Sequence, residues 1–560
     1  MRLLSPLVVP AAGPAPVTGS APRTRRLDWF EIGLLAVFGA FSMWIVALDL
    51  IHAHAHGLVW TGTDGFFIVD QMQYLAWIQS AAHHLLVSNL FVLRDTPSDY
   101  FQPAILISGL ISALGVAPWL ALLLWKPVAV IATFLAMRGV VNRCFVDVWQ
   151  RRAALTLGVL FGSFSVVYGT FGIVGDMMPT WLSWGYPFGL IAVAVIVFSL
   201  LRYDRSRAEG RPDWVPGLLG ALASTLHPWQ GETLILLVLG AELMHWRELA
   251  LWWRTRQWRR LALPVLTVVL TSLPLLYYLL LGHLDLSWTL ARQASKHAFA
   301  LSSIALGAAP LAILAILGYR GRSESFLELT LRVWTPAALL IYVLSATGLS
   351  ATPLHAFNGI TIPLAVLAVK GVERTRLRLI PGGRWIAAAA IAVGVIPANV
   401  YALSSAHIYV NPTLGNANFI TKDERAALTY LARDKDPGGV MAQFYLGEVI
   451  PARTGRRTFV GDCLWSEPAC MPRSLTADAL FEGQLSKAAS QRFVRQSGAR
   501  FLLESCSKQV VDLTDKLAPM ITDIRHFGCA TVYELGSASA PEGPLAELPP
   551  HAVVRAPRRQ

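Results

Sequence analysis

The chain has 560 residues, of which 54% are hydrophobic and 15% charged, a charged share far under the roughly 25% of soluble domains. With a mean hydropathy of +0.49, this composition excludes an ordinary soluble protein. The net charge of +12 would suit a nucleic-acid binder, but the basic residues fall in short clusters between apolar runs, which is the pattern that sets membrane orientation.

Residues 1–26 are rich in Pro and Ala and end in Arg23, Arg25 and Arg26. The apolar run that follows is too long for a signal-peptide core, so the start reads as a disordered cytoplasmic leader before an uncleaved anchor. Apolar runs then recur at 32–51, 118–141, 153–172, 186–201, 214–226, 233–244, 261–281, 300–317, 333–349, 360–372 and 385–403. This predicts a polytopic α-helical membrane protein with about eleven transmembrane helices over 27–403. The apolar stretch 104–116 is shorter than the roughly 20 residues a span needs. Treated as an interfacial helix, it leaves Arg143, Arg151, Arg152 and the clusters at 202–211, 247–260, 320–332 and 370–384 on the cytoplasmic side. The expected location is the inner (plasma) membrane, with loop 52–117 and everything after Leu403 outside.

From Ser404 the composition becomes that of a soluble domain. Helical periodicity at 422–433 and 478–497, a further helix at 512–520, and strand patterns at 439–445, 457–460, 500–504 and 530–535 predict a small extracytoplasmic α/β domain over 404–535. A Pro-rich tail, 536–560, reads as disordered. Four of the five cysteines, Cys463, Cys470, Cys506 and Cys529, fall in this domain, and Cys144 falls in a loop assigned inside. Disulfide chemistry favours that division between an oxidising and a reducing compartment. Four cysteines allow three pairings; closeness in sequence favours Cys463 with Cys470 and Cys506 with Cys529, four reduced thiols being the alternative. No CxxC pair supports zinc.

The longest polar interruption in the first part of the chain is the stretch from Asp64 to Pro103. A helix over 70–86 would put Asp70, Tyr74, Trp77, Ala81 and His84 on one face, beside an apolar stripe of Leu75, Ile78, Ala82, Leu85 and Leu86. Such a helix suits a membrane surface and would hold a carboxylate, a phenol and an imidazole at the bilayer edge. Asp70 is a candidate general base for an acceptor hydroxyl; a helix cap is the plainer role.

The run Asp70-Gln71-Met72-Gln73-Tyr74, then Tyr100-Phe101-Gln102-Pro103, then the stretch ending Leu114-Gly115-Val116, resembles the opening module of the GT-C membrane glycosyltransferases. Gly359 to Gly371 and Ile450-Pro451-Ala452-Arg453-Thr454-Gly455-Arg456 look like late segments of bacterial members with a carboxy-terminal extracytoplasmic domain. The resemblance implies an inverting enzyme that uses a polyprenyl-phosphate sugar, with Asp70 as the base and a glycan, lipid or protein as acceptor. Two departures stand out: Gln102-Pro103 replaces a pair of prolines, and no Asp-x-Asp is present in the first loop. Asp176 matches a loop where some members keep a second acid; with Asp70 it could ligate a divalent cation such as Mg or Mn, a turn residue being the plainer role. His227 is a candidate for phosphate or acceptor hydroxyl. Arg292, Lys296 and His297, positive on the face where positive charge is disfavoured, suit the lipid phosphate. Arg453 and Arg456 are candidates to close over the site from the soluble domain. A lipid-linked glycan transporter or a silent assembly subunit would share the spans and the cationic contacts without needing a positioned base.

Overall fold

The computed structural model describes residues 26–65, 67–162, 177–295, 301–320, 323, 325–347, 352–375, 382–507 and 511–536. The expected leader, apart from Arg26, and the expected tail, apart from Gly536, lie outside these residues.

The first helix, Trp29–Ala55, starts at a capping box in which the Asp28 carboxylate accepts from Glu31 N and the Glu31 carboxylate accepts from Asp28 N. Two otherwise unbonded amides are thereby satisfied. At about 1.5 Å per residue a 27-residue helix outspans a hydrocarbon core of about 30 Å. Among the described residues seven helices are long and apolar enough to cross a bilayer, or eight if the pair Leu301–Ala309 and Leu311–Tyr319, bent by 82°, forms one span. The expected count of about eleven also draws on residues outside the described ones, 163–172 among them. Val215–Leu226 is a helix of only 12 residues and Pro228–Met244 of 17. Both pack against neighbouring helices and also carry exposed apolar side chains, Leu218 and Leu222 on the first and Leu239 and Leu243 on the second. Trp258–Leu284 shows the lipid-facing pattern: Val265, Val269, Leu273, Leu276 and Leu280 are exposed at helical spacing. A patch of that kind is a liability in water and matches the surroundings in a bilayer.

The end of the bundle remote from the C-terminal domain is laced with ion pairs. Glu31 pairs with Arg138, Asp213 with Arg202, Glu242 with Arg207, and Glu328 with both Lys370 and Arg332. By sequence these residues read as solvated, orienting loops. Instead Glu242 and Glu328 are buried, and each needs its cationic partner to offset the loss of water.

The C-terminal domain holds a four-stranded sheet in the order β3 (Val440–Ala442), β4 (Phe501–Glu504), β6 (Ala530–Leu535), β5 (Ile521–Phe527), with β3 and β4 parallel and the other neighbours antiparallel. The helix Lys422–Arg433 begins at a second capping box, made by Thr421 and Glu424. The sequence pattern extends a strand to 445, but the chain turns at Gln443 into the helix Phe444–Thr454. The single helix expected over 478–497 is two, Cys470–Phe481 and Lys487–Ser497, separated by a turn at Gly483, where φ is +68°. Residues 512–520 contribute only the one-turn helix Thr514–Leu517, and β5 has no counterpart among the expected strands. Cys463 is bonded to Cys470 and Cys506 to Cys529, while Cys144 is a free thiol.

Domain and bundle are sewn together along the first loop. A short ribbon pairs β1 (Val59–Trp60) with β2 (Phe419–Ile420), Thr458 N donates to Leu90 O at 2.9 Å, Asn89 Nδ2 to Trp465 O at 2.8 Å, and Ser466 Oγ to Phe91 O at 2.8 Å.

Candidate active site

The stretch that leads into the Asp70 helix is held by buried polar groups. Lys126 projects from the helix Trp125–Cys144, pairs with Asp64, and donates to the carbonyls of Ser183 and Trp184 at 2.7 and 2.8 Å. Burial raises the Asp64 carboxyl to about 6, and the adjacent ammonium works against that rise. Asn418 donates to Asp49 and accepts from Thr63 Oγ1 at 2.6 Å, which ties the first helix, the first loop and the domain entry to one point. Asp64 N then donates to Gln71 Oε1 at 2.9 Å and fixes the beginning of the next helix, Ile68–Ala81.

Asp70 falls in the first turn of that helix, where the positive end of the helix dipole favours a carboxylate. The Tyr186 hydroxyl donates to Asp70 Oδ2 at 2.7 Å. Tyr186 stands immediately before the helix Pro187–Glu209; its ring lies 4.4 Å from that of Phe67 and 5.8 Å from that of His355. The His355 ring is in turn 4.8 Å from His227 and 4.6 Å from Trp229. Burial, and then His355, push His227 well below the usual imidazole range, so its ring is neutral. From the domain side comes Asp462, buried, its carboxyl pushed up to about 8 by burial and then by the charge of Asp70. Behind it Glu448 is raised well above the usual range, by burial and then by Asp462. Asp70 therefore lies at a seam where the carboxyl supplied by the domain is neutral at pH 7.

The helix is packed on two sides. Leu75 and Ile78 are buried, and the helix packs between Pro103–Ala113 and the domain helix Phe444–Thr454. Its far end abuts an aromatic cluster drawn from four segments: Trp77 packs on Tyr100, Trp288 and Trp465, with centroids at 4.5, 6.5 and 5.5 Å. The helix also ends at Ala81, earlier than expected, and leaves His84 exposed beyond its C-terminal end, with Asp70 in the first turn at the other. His84 is thus not brought to the site. Tyr74 is one turn from Asp70, packed on Phe188 at 5.1 Å.

Two further residues need correction. Arg453 Nη2 donates to Trp60 O and Thr61 O at 3.1 and 2.8 Å, and Arg456 spends its guanidinium on the carbonyls of Leu431, Asp434, Asp436 and Gly438. Both brace the backbone, so neither is poised to meet a phosphate. Arg292 differs: it is half-buried on the helix Leu286–Ala294, and its Nε has no hydrogen-bond partner among the described residues. Lys296, His297 and Asp176 lie outside the described residues. Sequence reasoning missed Tyr186, Gln230 and Asp462. Only Gln230 carried a signal, as part of the turn His227-Pro228-Trp229-Gln230, and nothing in the sequence marked the others as near Asp70.

The architecture can be compared with solved structures. The apo oligosaccharyltransferase of Archaeoglobus fulgidus superposes with a TM-score of 0.51 at 13% identity, over 86% of this chain and 70% of that one. The same enzyme tethered to an acceptor peptide gives 0.50 at 11% identity, over 86% and 69%. A mycobacterial arabinofuranosyltransferase, AftD, gives 0.51 at 15% identity, over 91% of this chain but only 42% of that longer one. The chain has the GT-C fold. No protein-family model and no curated protein matches the sequence.

Within this GT-C fold the described residues do not complete a divalent-cation site at Asp70. Among them the one group of three ligand atoms close enough to share an ion is Asp423, Cys506 and Cys529, and both thiols are consumed in the disulfide. Asp70 itself offers one carboxylate, already accepting from Tyr186.

Proposed function

We propose that this chain is a glycosyltransferase that moves a sugar from a polyprenyl-phosphate donor to a hydroxyl acceptor, on the face of the membrane that carries the C-terminal domain. The observation that carries the reading is the placement of Asp70, on a helix clamped between bundle and domain, with one carboxylate oxygen bound by Tyr186. A base needs a fixed direction toward the proton it takes, and the tyrosine gives the carboxylate that direction. Asp70 accepts the acceptor's proton as its oxygen attacks the anomeric carbon. The bond to the lipid phosphate breaks on the opposite side, with inversion.

The departing phosphate gains negative charge as the bond breaks. Arg292, whose Nε has no hydrogen-bond partner among the described residues, is the cation we assign to meet it, and Lys296 and His297 follow it in sequence. Asp462, whose carboxyl stays protonated at pH 7, supplies a hydrogen-bond donor at the seam beside Asp70. The likeness to an oligosaccharyltransferase and an arabinofuranosyltransferase supports glycosyl transfer as the class; the C-terminal domain would be extracytoplasmic, and the membrane the inner one. Purified protein incubated with polyprenyl-phosphate mannose, glucose or arabinofuranose and a glycan acceptor should release free polyprenyl phosphate and form a product of inverted anomeric configuration. A retained configuration would contradict the single-displacement mechanism, and no release from any donor would contradict the function.

A further inference from the structure

We propose that His227 and Gln230 form the wall that reads the hydroxyl groups of the transferred sugar, an inference that rests on the glycosyltransferase reading above. Gln230 sits in the first turn of the helix Pro228–Met244, fully buried, yet neither its Nε2 nor its Oε1 has a hydrogen-bond partner among the described residues. His227, three residues earlier, is 6% exposed and its Nδ1 is likewise without one. A buried polar group left unpaired costs about 1–3 kcal/mol, and natural cores rarely keep one. Here three such atoms occur within four residues. Leaving them unpaired is tolerable if a ligand completes them.

The surroundings say what sort of ligand. The helix Pro228–Met244 packs against the 3-10 turn Pro353–Phe357, which carries His355, and against Phe326–Ala346, whose Ser345 hydroxyl is also buried without a partner among the described residues. A Cβ added to Gly189 would lie 3.6 Å from His227 Nε2 and 3.7 Å from Asn358 Nδ2, so these two groups meet over a residue with no side chain. Trp229 packs on both imidazoles. The set consists of amides, imidazoles, a hydroxyl and an indole, with no Lys, Arg, Asp or Glu among these named groups. A phosphate or carboxylate would call for cations. A polyol calls for groups that both donate and accept, beside an aromatic face, and Gln and neutral His do both. Through His355 and Tyr186 this wall connects by ring contacts to Asp70, so the sugar would lie between the hydroxyl-reading groups and the base.

The test compares binding of polyprenyl phosphate alone with that of polyprenyl-phosphate mannose, glucose and arabinofuranose. Full-length protein carrying Asp70→Asn is used, so that no donor is consumed, with and without Gln230→Met or His227→Phe. Each variant should erase the preference for the best sugar-bearing lipid by about 10-fold, the scale of one or two lost hydrogen bonds, and leave affinity for the plain lipid phosphate unchanged. Melting should hold or rise in Gln230→Met, because an unpaired buried amide is removed. If the parent protein prefers a sugar-bearing lipid and both variants keep that preference, the atoms are satisfied by water and the proposal is overturned alone. If a variant weakens the plain lipid equally, its role is general packing and the proposal also fails. If the parent binds none of the four lipids, the glycosyltransferase reading fails and takes this inference with it.

Discussion

The two ends of the helical bundle treat their polar residues in opposite ways. At the end remote from the domain, charges are matched: Glu242 is bridged by Arg207, and Glu328 by Lys370 and Arg332. At the end that carries the domain, His227 Nδ1, both amide atoms of Gln230, Ser287 Oγ and Arg292 Nε are buried without hydrogen-bond partners among the described residues. Paired charges hold helices together. The unpaired groups named at the domain end lie on the side where Asp70, Tyr186 and Asp462 also meet, and there a bound ligand would complete them.

That contrast can be sharpened by substitution. The largest effect is expected from Asp462, whose carboxyl titrates near 8 in the fold against 3.8 as its ordinary value. The folded protein keeps this proton between about pH 4 and 8 while the unfolded chain has lost it, so stability falls as pH rises through that window and levels off above it. Every tenfold difference in proton affinity between fold and unfolded chain is worth about 1.4 kcal/mol, so Asp462→Asn should flatten the decline by several kcal/mol and melt higher than the parent at pH 8. A parallel decline in the variant would remove Asp462 as its source. At the remote end, Lys370→Met removes one of the two cations on the buried Glu328 and leaves it to Arg332, which should cost about 1.5–3 kcal/mol, read as a lowered melting temperature with turnover per folded molecule unchanged. Arg453→Met uncaps the Trp60 and Thr61 carbonyls and should cost about 1–3 kcal/mol, with faster proteolysis at the seam between bundle and domain. Smallest is Arg292→Ala: turnover and apparent donor affinity should both weaken, by about 10-fold in their ratio, with melting unchanged. Unaltered kinetics would leave Arg292 as a headgroup contact.

How much of this could be read from the sequence differs between the same two regions. Lys422–Arg433 and Ala530–Leu535 run between the residues that periodicity indicates, because a capping box and an alternating pattern are local signals. The membrane class was plain from composition. The span count was less plain, because Val215–Leu226 and Pro228–Met244 are apolar yet only 12 and 17 residues long. β5 escaped notice since it carries Asp523, Arg525 and His526 and has no buried residue to mark an apolar face. At the site, Asp70 stood out as the isolated carboxylate of the expected helix 70–86. Its partner Tyr186 is 116 positions away, and Arg453 reaches carbonyls more than 390 positions away. Such long-range hydrogen bonds leave no trace in composition or spacing, which is why Arg453 looked like a phosphate ligand and proved to be a brace.

The central claim is that Asp70 takes the acceptor's proton, and the most direct test is the turnover of Asp70→Asn beside its melting temperature. Asn preserves the size of the side chain and still accepts from Tyr186 through its carbonyl oxygen, and it caps a helix about as well as Asp. The account predicts that release of polyprenyl phosphate in the presence of acceptor falls by about 100-fold or more, while donor binding and melting stay at the parent's values. Transfer at the parent's rate by a folded Asp70→Asn protein would contradict it.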